Sequence, residues 1–153
     1  MTIFETFAAH VDHALDALVA AGTLPADLDR SNVTVEPPRD ASHGDLSTNA
    51  AMVLAKPAST NPRALAEALS AELAKIENVT GVEIAGPGFL NLRLSASAWL
   101  DELRAIGQSA DDYGRSTTGE GKVVNIEYVS ANPTGPMHMG HCRGAVVGDA
   151  LAS

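Results

Sequence analysis

Positive charge is scarce in this sequence: ten Lys and Arg residues stand against 19 Asp and Glu, a formal net charge of −9. Nucleic-acid binding usually draws most of its affinity from cations set against phosphates. An acidic chain therefore meets such a partner only through a local site. Cysteine is nearly absent, since Cys142 stands alone among 153 residues. A single thiol forms no internal disulfide, so nothing calls for an oxidising compartment. Aromatics make up only 4%, which leaves Ala, Val, Leu and Ile to build the core. No run approaches the ~18 apolar residues that span a bilayer. The first 22 residues carry Glu5, Asp12 and Asp16 but no Lys or Arg, so the basic start of a secretory signal is missing. The expectation is a cytoplasmic protein with no membrane partner.

What is present fits a globular chain, with 45% apolar and 19% charged residues. Phe4, Phe7, Ala8, Val11, Leu15, Leu18 and Val19 recur at helical spacing, and Gly22 ends that helix. His10 and His13 lie on it beside Asp12 and Asp16, either as the beginning of a metal site or as a solvated polar face. NVTVEPP (32–38) alternates like a short strand that Pro37-Pro38 stops. RDASHGDLSTN (39–49) reads as a polar, turn-rich loop, with Ser47 or Thr48 capping a short helix to about residue 56. Asn61-Pro62 starts another helix, whose stripe is Leu65, Ala68, Leu69, Leu73 and Ile76. Two strands follow in 79–95, joined at Gly86-Pro87-Gly88. In the second strand, Leu90, Leu92 and Leu94 share one face, which leaves Phe89, Asn91 and Arg93 on the other. Ser95 or Ser97 caps a helix through about residue 109, with Trp99, Leu100, Leu103 and Ile106 facing inward.

The Gly-, Ser- and Thr-rich stretch 111–121 breaks the periodicity and marks a domain boundary, giving domains at 1–115 and 116–153. Residues 1–115 hold 16 acids and 8 bases, and 116–153 hold 3 and 2. KVVNIEYV (122–129) reads as a strand buried on both faces. GHCRGAVVGDALAS then reads as a helix whose small residues, Gly140, Gly144, Gly148 and Ala152, suit close packing on a sheet. The loop between them, ANPTGPMHMGH (131–141), delivers His138 and His141 to the helix start. Unpaired N–H groups and the helix dipole attract a phosphate there, and the imidazoles add hydrogen-bond donors. Gly140 leaves room for a flat ring. A surface pair and half of a metal site are competing readings of His-x-x-His. No G-x-G-x-x-G follows the strand, so the dinucleotide fingerprint is missing.

The stretch IEYVSANPTGPMHMGHCRGAVVGDALA (126–152) resembles the start of the catalytic domain of the arginyl-tRNA synthetase family. His138-Met139-Gly140-His141 is similar to the HIGH signature of class I aminoacyl-tRNA synthetases. The flanking Ser-x-Asn-Pro-Thr-Gly-Pro and Arg-Gly-Ala-x-x-Gly-Asp are more specific to the arginine enzymes. HGDLSTN (43–49), NPRALAEAL (61–69) and GPGFLNLRL (86–94) resemble the same family's N-terminal additional domain. Nearly the whole chain is covered. Three positions depart mildly from the pattern: Leu46 replaces a usual aromatic, Met139 an isoleucine, and Cys142 a small residue.

The resemblance implies an α+β N-terminal domain, a small antiparallel sheet with helices, followed by the first βα unit of a Rossmann-like catalytic domain. It implies a ligase that joins arginine to its tRNA at the expense of ATP, with Mg2+ arriving on the ATP and no protein metal site. By position, His138 and His141 contact ATP and stabilise the transition state at the α-phosphate, and Gly140 accepts the adenine. Glu127, Ser130 and Asn132 face the ATP and arginine pocket. The signature runs through Ala131, Asn132, Pro133, Thr134, Gly135, Pro136, Met137, His138, Met139, Gly140 and His141. Phe89 and Asn91 read a splayed base of the tRNA D-loop, and Arg93 meets phosphate. The family's second, KMSK-like loop and its anticodon-binding domain are missing, so these residues alone are expected to be inactive; the full-length enzyme is expected to be a monomer. The other reading is a stand-alone RNA-binding module, but such a module has no need of an ATP-site signature.

Overall fold

The computed structural model describes every residue except Met1, Thr118 and Pro133. It divides into two compact units, Met1–Gly114 and Arg115–Ser153.

The first unit opens with α1 (Ile3–Ala20). Thr2 and Glu5 form a reciprocal cap: the Thr2 amide donates to Glu5 Oε2 at 2.6 Å, and the Glu5 amide donates to Thr2 Oγ1 at 3.3 Å. Two of the helix's orphan donors are thereby satisfied. Ile3, Phe7, Val11, Ala14, Leu15 and Leu18 are buried, while Ala8 is exposed. Gly22, at φ 73°, turns the chain out of the helix. The polar side of α1 is occupied by Arg30, which reaches Asp12 at 3.3 Å and Asp16 at 2.8 Å.

Four antiparallel strands make one sheet: β1 (Val35–Glu36), β2 (Leu46–Thr48), β3 (Val79–Ala85) and β4 (Phe89–Leu94), in the order β1-β2-β4-β3. Leu46, Thr48, Leu90 and Leu92 point to the core side, as period two requires. That side is covered by α1, α2 (Ala50–Ala55) and α3 (Pro62–Leu73). Asn61 starts α3 as its sequence demands, its Oδ1 accepting from the amides of Arg63 and Ala64. Leu65, Ala66, Leu69 and Leu73 are its buried stripe.

Several expectations need correction here. The loop 39–49 contains β2, which sits inside the sheet between β1 and β4. Three residues are too few to show a period, and the strand is fixed from outside. The Asp45 amide donates to the Leu92 carbonyl at 2.8 Å, and the Asp45 carboxylate accepts from the Leu94 amide at 2.8 Å. The strand expected at 32–38 shrinks to Val35–Glu36. At the start of α2 the cap position is Asn49, but its side chain is engaged elsewhere. It accepts from the Thr34 amide at 2.9 Å and donates to the Asn32 carbonyl at 3.1 Å, so Thr48 Oγ1 takes the Ala50 amide at 3.3 Å.

A further correction concerns α4 (Ala96–Ser109), whose apolar stripe does not face inward: Trp99, Leu100, Leu103 and Ile106 are all exposed, Leu103 at 63%. Ser95 holds the cap position, as expected, but its side chain bonds no helix amide, since the Ser95 and Ser97 hydroxyls both donate to Asn78 Oδ1. Periodicity identifies residues that share a face, not what covers it. The side that α4 turns towards α1 is the Ala98, Glu102 and Ala105 side. Glu102 accepts from the Ile3 amide at 2.9 Å and from the Tyr113 hydroxyl.

In the second unit α5 (Met139–Ala152) forms where expected. The buried strand expected at 122–129 does not form among the described residues, and Val123, Val124 and Ile126 are exposed. A strand buried on both faces needs a neighbour on each edge, and no strand of this unit is there to pair with it. The small-residue face of α5 receives Tyr128 instead of a sheet: the ring lies against Gly148, and its hydroxyl donates to Asp149 Oδ1 at 3.0 Å.

Candidate functional site

The β3–β4 hairpin places Phe89 and Asn91 on the sheet face opposite the core helices. There they line an open cleft of about 670 Å3. One wall is the extended segment from Thr34 to Arg39, and Met52 and Asn49 contribute from the side of α2. The two residues occupy different depths. Phe89 is 37% exposed and offers a ring face, whereas Asn91 is 5% exposed and lies at the floor. No hydrogen bond joins the Asn91 amide to another group among the described residues. No sealed side-chain polar atom lacks a partner either, so that amide opens to the cleft rather than being walled in.

Cross-strand register explains the floor. Glu36 pairs with Ser47, Ser47 with Asn91, and Asn91 with Glu83, so one polar row crosses all four strands on the cleft side. Arg39 and His43 stand at the rim. The turn that presents them is pinned at both ends. Asp40 accepts from the Ser42 amide at 2.9 Å, which holds its carboxyl below the ordinary value of 3.8. Arg93 Nη2 donates to the Ser42 carbonyl at 2.5 Å.

The sequence placed Phe89, Asn91 and Arg93 on one face, but the structure does not bring all three to one cleft. Arg93 is spent on the turn at Ser42 and does not line the cavity. Ser47, Asn49, Arg39, His43 and Glu36 line it and were not anticipated. The signal for Ser47 was the one-residue alternation Leu46-Ser47-Thr48, legible only once that stretch is known to be a strand.

In the second unit, His138 caps α5 from an extended backbone. Its Nδ1 accepts from the Gly140 amide at 3.1 Å, and its own amide donates to His141 Nδ1 at 3.4 Å. The two rings stack at a centroid distance of 3.9 Å and 22° between planes. An Nδ1 that accepts carries no proton, so both rings hold their hydrogen on Nε2. Each imidazole thereby presents Nε2 as its free donor. Gly140 has no side chain in a place where a Cβ would lie 3.0 Å from His138 Cε1.

Glu127, Ser130, Asn132, Thr134, Gly135, Pro136, Met137 and Met139 are exposed and Ala131 is half-buried, while Pro133 lies outside the described residues. The loop is held by its own backbone, Ala131 to the Val129 carbonyl and Thr134 to the Asn132 carbonyl. No side-chain bond joins Glu127, Ser130 or Asn132 to the histidines among the described residues. No group of three His, Cys, Asp or Glu side chains assembles among them, and His10 meets Phe7 edge-on at 5.3 Å. No helix among the described residues is long and apolar enough to cross a membrane.

Residues 5–94 match the family model described as the arginyl tRNA synthetase N-terminal domain. The arginine–tRNA ligase of Novosphingobium aromaticivorans is 74% identical over 146 residues, covering 95% of this chain and 25% of that protein. The arginine–tRNA ligase of Ruegeria sp. is 60% identical over 153 residues, and that of Rhizobium meliloti 56%, each covering 100% of this chain and 26% of the relative. The chain thus spans about a quarter of the length of the curated relatives it matches.

Proposed function

The chain belongs to the arginyl-tRNA synthetase family, and from that premise we propose that it works as part of an arginine–tRNA ligase, its first unit gripping the D-loop corner of the tRNA. The observation that carries this reading is the cleft, where an exposed ring stands over a buried, unpartnered amide. An aromatic face stacks on an unpaired base, and an amide pairs with its Watson–Crick edge. The sheet supplies both without movement, because Phe89 and Asn91 are two residues apart on one rigid strand.

The second unit contributes the beginning of the ATP site, as the first βα unit of a Rossmann-like domain completed by further chain. In the ligase the arginine carboxylate attacks the α-phosphorus and pyrophosphate leaves. Charge builds on the phosphate oxygens as it does so, and the Nε2–H groups of His138 and His141 donate to them. The Nδ1 bonds to the α5 backbone hold both rings in the donating tautomer. Gly140 accepts the adenine. Glu127 pairs with the cationic end of arginine, and Ser130 and Asn132 line the same pocket. Ala131, Thr134, Gly135, Pro136, Met137 and Met139 shape the loop that presents them. Mg2+ enters with the ATP, on its phosphates. The full ligase acts as a cytoplasmic monomer.

The 153 residues by themselves bind tRNA and do not turn over. In fluorescence anisotropy with an arginine tRNA transcript, Phe89→Ala weakens binding by about 1–3 kcal/mol. Equal affinity of the variant and the parent chain defeats the reading of the cleft. ATP–pyrophosphate exchange on the same chain with arginine and tRNA gives no signal; steady turnover contradicts the incomplete-site reading.

A further inference from the structure

The floor of the cleft holds more chemistry than one amide. Glu36, Ser47 and Asn91 lie side by side on three adjacent strands, all three line the cleft, and Phe89 stands two residues along β4 on the same face. Adjacent strands are ~4.8 Å apart, so a planar base stacked on Phe89 spans from Asn91 to its neighbour. None of the three side chains has a hydrogen-bond partner among the described residues. Asn91 is at once 5% exposed and open to the cleft, which makes this a built site rather than a cluster of surface polar groups.

We infer that Ser47 and Glu36 are specificity-determining residues of this cleft, selecting a base that offers an exocyclic amino group. The inference rests on the base-reading role proposed above. Its argument is one of donors and acceptors. The Asn91 amide has both a donor and an acceptor, and the Ser47 hydroxyl rotates to serve either way, so these two alone tolerate any edge. Glu36 is different: an ionised carboxylate only accepts. A base whose edge turns an amino group towards the β1 side satisfies it. A base that turns a carbonyl there sets oxygen against carboxylate, and a site built for a donor rejects the analogue lacking it. The same charge repels a phosphate, so the cleft takes a base while Arg39 at the rim is left for the backbone.

The test uses the 153-residue chain and arginine tRNA transcripts in which D-loop bases are changed one at a time. The read position is the one whose replacement loses its effect in Phe89→Ala. At that position the parent chain prefers an amino-bearing base to uridine by about tenfold. Glu36→Gln, which supplies both donor and acceptor at the same size, brings that preference below about threefold while thermal stability is unchanged. Ser47→Ala lowers it as well. An undiminished preference in both variants, with Phe89→Ala still weakening binding, overturns this inference and leaves the tRNA reading standing. Binding that Phe89→Ala leaves untouched overturns the tRNA reading itself, and this inference with it.

Discussion

Phe89 and Asn91 are two residues apart on β4 and face the same way, yet one is 37% and the other 5% exposed. The difference comes from neighbours. Asn91 has a strand on each side, with Ser47 and Glu83 opposite it, whereas Phe89 pairs only with Ala85 at the hairpin end. Gly44 carries the same junction from the other side. Its φ is 140°, and a Cβ there would lie 2.7 Å from the Leu92 carbonyl oxygen, which belongs to the strand that β2 must join. Gly44→Ala is therefore expected to cost about 2 kcal/mol or more in urea unfolding, through both backbone strain and this collision. An unchanged midpoint counts against the close approach. The rim has its own test. Asp40 accepts from the Ser42 amide, which holds its carboxyl below 3.8 in the folded chain. A depressed carboxylate contributes its bond fully above the ordinary value and loses it as pH falls from there through the folded value. The Ser42 amide resonance should thus be steady from pH 7 to about pH 5 and move only below about pH 4. Movement already between pH 7 and 5 would show that another group controls the turn. At this scale the sequence was half legible. Alternation along Phe89-Leu90-Asn91-Leu92-Arg93 put three side chains on one face, but nothing in it told that Arg93 ends on the Ser42 carbonyl.

Elements were legible where a local signal sufficed. The apolar spacing of α1, closed by Gly22, and the Asn61-Pro62 start of α3 are such signals, and the GPG turn fixes the β3–β4 hairpin. Elements whose partner is distant or missing were not. β2 exists because Leu92 and Leu94 bind Asp45 on either side of it, and the apolar run 122–129 finds no strand to pair with among the described residues of its unit. Helix α4 lies between these cases. Its stripe is real, yet Leu103 is 63% exposed while Leu69 on α3 is fully buried. Leu103→Gln removes little area from the core and keeps helix propensity, so it should change unfolding free energy by no more than about 0.5 kcal/mol. Leu69→Ala, leaving a hole among α1, α2 and α3, should cost about 2–5 kcal/mol. Comparable losses in the two variants would mean that the α4 stripe is covered in solution.

For the whole molecule, charge sets the terms of the proposed RNA binding. The first 115 residues carry 16 acids against 8 bases, and several of those bases are already committed. Arg30 clasps Asp12 and Asp16, Arg63 meets Glu67, Lys75 meets Glu72, and Arg104 meets Asp101. Arg93 holds the Ser42 carbonyl, and Arg39 is the arginine that lines the cleft. Under the reading proposed above, binding draws on stacking and base-edge bonds, with one or two phosphates neutralised. Each neutralised phosphate on single-stranded RNA contributes a slope of about −0.7 in log K against log salt. The 153-residue chain should therefore bind its tRNA transcript with a slope between roughly −0.7 and −1.5, where a basic RNA-binding surface gives several times that. Arg39→Ala should flatten the slope by nearly one contact while sparing the preference among bases, because a phosphate contact carries no sequence information. Phe89→Ala should do the reverse, weakening binding at every salt concentration without changing the slope. A steep slope in the parent chain, undiminished by Arg39→Ala, would place the RNA on some other surface. The acidic composition, which at first argued against any nucleic acid, would then need a different explanation from a small, largely uncharged cleft.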